Sequence, residues 1–166
     1  MSTGHFLLRS VLRWLRHFTA KLHYTKMPVT KALSVRIQMT DWRKFFEIAE
    51  KVLGEGRPTA ALSSSWCSWT TFQRLKTDAG YWQSGLPAAE DIKDDHILDG
   101  GTWMQPFLYS DLAHVIIPAE FYWEKFESSK YSYGTKTQNI KELSRCLDAV
   151  EIPYRITPIV LEIKCY

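Results

Sequence analysis

The chain has 166 residues, is 45% hydrophobic and 14% aromatic, and carries a formal net charge of +3. That is enough apolar material for one packed domain, and it excludes the low-hydrophobicity composition of a disordered chain. The charge is uneven: residues 1–39 hold seven Lys/Arg and no acid, whereas residues 40–166 hold 14 Lys/Arg against 18 Asp/Glu, a net of −4. A basic N-terminal extension, 1–39, is therefore expected ahead of a single mildly acidic domain, 40–166. Cys67, Cys146 and Cys165 are odd in number and lack CxxC spacing. A disulfide framework or a zinc site is not expected, and a reducing, cytoplasmic setting is.

Within residues 5–24, Leu7, Leu8, Val11, Leu12, Leu15, Phe18 and Leu22 recur at helical spacing with Arg9, Arg13, Arg16 and Lys21 between them. This is a basic amphipathic helix pattern. It fits peripheral membrane contact, a transit peptide or a partner-binding helix, and it is too short and charged to span a bilayer. Met27 and Met39 are alternative starts that would leave it outside the domain.

From Thr40 to Leu53, Trp42, Phe45, Phe46, Ala49, Val52 and Leu53 form one apolar stripe, with Thr40 as the expected cap and Gly54 as the C′ residue. Gly56–Arg57–Pro58 breaks the chain. Trp66, Trp69 and Phe72 have helical spacing, and 70–76 reads as one or two helical turns. Gly80, Gly85 and Gly100–Gly101 punctuate a region of turns and short strands up to 111, with 102–104 and 107–109 as a strand leading into the next. Ala113–Ile117, β-branched and closed by Pro118, reads as a buried strand. A long loop follows. Ile140, Leu143, Cys146, Leu147 and Val150 then mark a helix over 138–150, capped by Thr137 or Asn139, with Asn139 and Glu142 resembling a capping box. Alternation over 153–157 and 160–165 predicts two closing strands, with Tyr154, Ile156, Leu161, Ile163 and Cys165 buried and Arg155, Glu162 and Lys164 outward. The fold class expected is α+β, a small antiparallel sheet packed by two amphipathic helices.

Asp91, Asp94, Asp95, His96 and Asp99 form the one dense polar cluster. The spacing matches no EF-hand, no HExxH is present, and a solvated acidic loop is the first reading. Such a loop can also steer a basic protein partner, and Trp103 beside it offers an aromatic contact. His114 sits in an apolar strand, where a satisfied core or edge histidine is the first reading. A Cys67 dyad with His96 or His114 requires the fold to unite them. No GxSxG, GxGxxG or GxxxxGK[ST] occurs, and residues 40–166 lack a basic–aromatic stripe, so neither nucleotide nor nucleic acid is an expected ligand. No catalytic residue, metal ligand or cofactor is assigned.

Thr40–Asp41–Trp42–Arg43, Asn139–Ile140–Lys141–Glu142–Leu143, Ile152–Pro153–Tyr154 and Leu161–Glu162–Ile163–Lys164–Cys165–Tyr166 resemble motifs of a family of small bacterial proteins known as domain of unknown function 6678. Gly100–Gly101–Thr102–Trp103 and His114–Val115–Ile116–Ile117 fall where its central aromatic region and strand would lie. Asp41 and Cys165 depart from its pattern. The resemblance covers about 40–166 and implies a small bacterial α+β domain with no catalytic residues. The function expected is that of a non-enzymatic protein-binding domain, such as a bacterial immunity protein that neutralises a basic cognate toxin. Asp91, Asp94, Asp95, Asp99 and Trp103 are its expected contacts. The alternative is a small hydrolase or metal-dependent enzyme using the loop at 90–99 with His114.

Overall fold

Five short strands share one antiparallel sheet, and its two faces are chemically different. The structure, a computed structural model, describes residues 39–99 and 105–166. The basic segment 5–24 and Trp103 lie outside the described residues. Helix α1 spans Met39–Leu53, β1 Cys67–Thr71, α2 Phe72–Thr77, β2 Trp82–Ser84, β3 His96–Leu98, β4 Pro106–Leu108, β5 Leu112–Pro118, β6 Glu120–Glu127, β7 Lys130–Thr137, α3 Ile140–Asp148, β8 Arg155–Ile156 and β9 Val160–Lys164. The sheet order is β2-β1-β5-β9-β8, and β3-β4 and β6-β7 are separate hairpins. The α+β class with antiparallel pairing is as expected. No helix among the described residues is long and apolar enough to cross a membrane.

Side chains alternate along a strand, and the register makes the core face continuous. Trp69 stands opposite Val115 and Trp82, Val115 opposite Ile163, and Ile117 opposite Leu161. These residues share one cluster with Trp42, Phe45, Phe46 and Ala49 of α1 and Ile140, Leu143 and Leu147 of α3. The α1 stripe is thus buried as its periodicity predicts. Thr40, however, falls inside the helix, which begins at Met39. Gly54 takes φ +86° and donates to the Glu50 carbonyl at 2.7 Å, the left-handed stop that a residue without Cβ allows. Asn139 caps α3 by accepting from the Glu142 N–H at 3.1 Å, while the Glu142 carboxylate pairs with Arg145 instead of closing a capping box. The helix ends at Asp148, earlier than the stripe suggests, so Val150 is exposed and Cys146 half-buried.

Two segments differ from expectation. Residues 67–71 are a strand, not a helical run: Cys67 and Trp69 face the core with period two, and Thr71 then caps α2 by accepting from the Arg74 N–H at 3.2 Å. The expected loop after Pro118 is the β6–β7 hairpin, joined through Ser128 and Ser129, both at positive φ (51° and 63°). The strand read at 107–109 is carried by β4, which pairs with β3, while 102–104 lie outside the described residues. Ile97 and Phe107 sink into the core from this hairpin, and Phe107 meets the edges of Trp69 and Trp82.

Candidate functional site

Three carboxylates of the acidic loop, Asp94, Asp95 and Asp99, each have a separate partner. Asp94 accepts from Arg43 of α1 at 2.6 Å while its side chain stays 92% exposed. Asp95 bonds His96 Nδ1 at 2.7 Å, and that hydrogen bond holds its carboxyl below the usual range. Asp99 accepts from the Gln105 N–H at 3.0 Å. Asp91 closes a 3₁₀ turn, where burial, with Glu90 adding to it, raises its carboxyl above the usual range. Buried Tyr109 donates to the Lys93 carbonyl at 2.9 Å and ties the loop to the core. Among the described residues no group of three or more His, Cys, Asp or Glu is placed to hold a metal ion. The loop and His114 do not meet: Phe107 packs its hairpin on the Trp69 face, and the residues next to Trp69 and Val115, Thr70 and His114, pair on the opposite face.

That opposite face carries a cluster sequence reading missed. His114 is only 6% exposed. Its Nδ1 lies 2.7 Å from the Tyr81 hydroxyl, and its Nε2 lies 3.4 Å from Glu162 Oε2, without hydrogen-bond alignment. Arg155, opposite Glu162 in the register, donates Nε to the other carboxylate oxygen at 2.5 Å. Tyr166 packs edge-on against His114, with Lys164 Nζ over its ring. Burial drives His114 below its usual value, and the Glu162 charge opposes this in part. Burial alone would raise Glu162, but the Arg155 hydrogen bond and charge outweigh it and leave the carboxyl below its usual value. The ring thus stands between a hydroxyl and a carboxylate. The carboxylate is committed to Arg155 and the imidazole is enclosed, an arrangement that holds strands together. Alternation placed Glu162 outward correctly; what it could not show is that Tyr81, Arg155 and Tyr166 cover that outward face.

Cys67 faces the core, and burial pushes its thiol up to about 12, so it is a poor nucleophile and makes no dyad with His114 across the sheet. Ser63 and Ser65 bond backbone: Ser63 Oγ accepts from Arg57 N–H at 2.8 Å, and Ser65 Oγ from Leu86 N–H at 3.3 Å.

Hairpin β6–β7 presents the third constellation. One face turns inward. Phe121 stacks on Trp66 at 6.0 Å, and Lys136 Nζ reaches the carbonyls of Ala60 (3.3 Å), Ala61 (2.8 Å) and Ser63 (2.8 Å). The other face carries Tyr122, Glu124, Phe126, Tyr131 and Tyr133, since Glu124 pairs with Tyr133 and Phe126 with Tyr131. Phe126 is 74% and Tyr133 67% exposed. Tyr131 donates to Glu124 Oε2 at 2.7 Å, and hydrogen bonds with Tyr122 and Glu124 push its phenol above the usual range. The aromatic count is visible in the sequence, but not which aromatics stay outside.

Comparison with family models, with curated proteins and with solved structures finds no match to this chain.

Proposed function

We propose that this chain is a non-enzymatic protein-binding domain whose contact surface is the outward face of hairpin β6–β7. The observation that carries the reading is the row Tyr122, Phe126, Tyr131 and Tyr133, four exposed aromatic side chains on one face of one hairpin. Large rigid rings gather where interfaces form, because they bury much area for little lost side-chain entropy. The opposite hairpin face is anchored by Lys136 and Phe121, so the aromatic row is presented from a fixed base. The acidic loop adds long-range attraction: Asp91, Asp94, Asp95 and Asp99 sit in a domain of net −4, and such a field speeds encounter with a basic partner.

The setting we favour is a bacterial immunity protein that neutralises a basic toxin in the cytoplasm, in line with the resemblance to a small bacterial family. A photo-crosslinking residue in place of Tyr133, with Lys141 on α3 as the control position, captures the partner in the source cell. The pair is then rebuilt from purified components. Tyr122→Ala with Tyr133→Ala is expected to weaken binding at least about tenfold with an unchanged melting temperature. Equal affinity removes the hairpin from the reading, and crosslinks from both positions alike would mean that no specific face exists. If the captured partner is harmless to cells lacking this chain, the immunity setting falls while the binding role stands.

A further inference from the structure

The aromatic face of the hairpin has a carboxylate at its centre. Glu124 Oε2 accepts from Tyr131 at 2.7 Å, the Tyr122 hydroxyl lies 3.4 Å from the same oxygen, and the two hydroxyls are 3.1 Å apart. The Tyr133 ring leans on both neighbours, with centroids 5.7 Å from Tyr131 and 6.3 Å from Tyr122 and planes tilted 34° and 36°. Among the described residues no cation pairs with Glu124. Lys125 bonds Glu127 at 2.6 Å, and both belong to the other hairpin face. The Tyr122 and Tyr131 hydroxyls hold the Glu124 side chain, and the exposed Tyr133 stands directly opposite Glu124 in the strand register. A carboxylate beside exposed tyrosine rings is the chemistry that recognises a cation.

We infer that this face docks an arginine side chain of the protein partner. The guanidinium lies flat on Tyr133 and donates to Glu124. The inference rests on the protein-binding reading above and adds the chemistry of the contact. Arginine is preferred to lysine because its planar fork can stack on a phenol ring and meet a carboxylate at the same time. An ammonium is a compact, strongly hydrated charge that does only one of these well. The net −4 of residues 40–166 favours the same sign of partner.

The test is a titration of the full chain with a short blocked peptide, Gly-Arg-Arg-Gly, followed by NMR, beside Gly-Lys-Lys-Gly and Gly-Glu-Glu-Gly. The expected result is a set of shifts centred on Tyr122, Glu124, Tyr131 and Tyr133. Arginine should bind at least about threefold tighter than lysine, and the acidic peptide should give none of these shifts. Glu124→Gln should weaken the arginine peptide about five- to tenfold without moving the melting temperature. Shifts confined to residues 90–99, no shifts at millimolar peptide, or equal binding to E124Q each overturn the inference. The captured partner separates the two readings. If it binds E124Q as tightly as wild type but loses Tyr122→Ala/Tyr133→Ala, only the arginine contact is wrong; if it ignores both variants, the hairpin reading itself fails.

Discussion

Glu162 Oε2 lies 3.4 Å from Nε2 of His114, one diagonal step apart on β9 and β5, on the sheet face that turns away from the hydrophobic core. The carboxylate favours a proton on Nε2, which leaves Nδ1 to accept from the Tyr81 hydroxyl at 2.7 Å. A neutral imidazole therefore accepts from Tyr81 and keeps its other N–H on the Glu162 side, 3.4 Å away and out of hydrogen-bond alignment. Protonation would place a second donor against Tyr81 and a charge in a site 6% exposed.

This sets the pH dependence of stability. Burial lowers His114, and Arg155 lowers Glu162 against the opposing effect of burial. Both groups bind protons more readily when unfolded. Their stabilisation is present above the unfolded values and is lost as pH falls. Lys164 and Arg155 act in the same direction on His114, and Glu162 against it. The urea midpoint is expected to drop on acidification starting near pH ~6.5, the unfolded histidine value, and to drop further as Glu162 titrates. His114→Asn keeps an acceptor near Tyr81 without titrating, so it should flatten the upper part of that fall. An unchanged slope between wild type and variant would assign the acid sensitivity elsewhere.

Removing Arg155 tests the same face from its rim. The Arg155 side chain is 69% exposed while that of Glu162 is 9% exposed, so truncation leaves an enclosed carboxylate short of its main donor. Arg155→Ala should cost about 1–3 kcal/mol in urea unfolding. Arg155→Ala with Glu162→Gln should cost less than the sum of the single changes, because the orphaned charge is gone. Strict additivity would show that the pair is not coupled.

The turn of the aromatic hairpin is strained by its own sequence. Ser128 and Ser129 both sit at positive φ, the geometry that favours Asn-Gly in two-residue hairpins. Ser128→Asn with Ser129→Gly should raise stability by about 1 kcal/mol, read as a shift of the urea midpoint with an unchanged slope. A loss of stability would show that the serines make contacts that outweigh their backbone cost.

The same turn explains what the sequence concealed. Helix α1 was readable because Trp42, Phe45, Phe46 and Ala49 lie on one stripe and Gly54 ends it. Strands β5 and β9 were readable because Val115, Ile117, Leu161 and Ile163 face one core. Hairpin β6–β7 was not. Its aromatics occupy both faces, Phe121 and Trp123 on one and Tyr122 and Phe126 on the other, so period-two contrast vanishes, and Ser-Ser carries no turn signature. The Trp66, Trp69 and Phe72 spacing imitated a helix because sequence alone does not show that Thr70 pairs with His114. The acidic run was conspicuous as a cluster, yet its partners Arg43 and Gln105 are supplied by the fold.

Lys136 is the joint between the hairpin and the 59–66 loop, and its chemistry makes a sharp prediction. An ammonium has three donors, and Nζ lies within 3.3 Å of three carbonyls, those of Ala60, Ala61 and Ser63. It also lies 5.9 Å from the ring centroids of Phe121 and Trp123, whose faces add to the attraction. Methionine matches the stem but donates nothing, so Lys136→Met should cost about 1–3 kcal/mol by leaving the Ala61 and Ser63 carbonyls short of a donor. Amide exchange should rise first at Ser63, whose N–H donates to the Ala60 carbonyl at 3.3 Å, and at Ser64, whose N–H donates to the Glu55 carbonyl at 3.3 Å. The docking row on the far hairpin face should then weaken with the base that supports it, visible as reduced partner affinity alongside the faster exchange. Faster exchange with full affinity would separate the loop from the docking face and leave the hairpin held by Phe121 on Trp66.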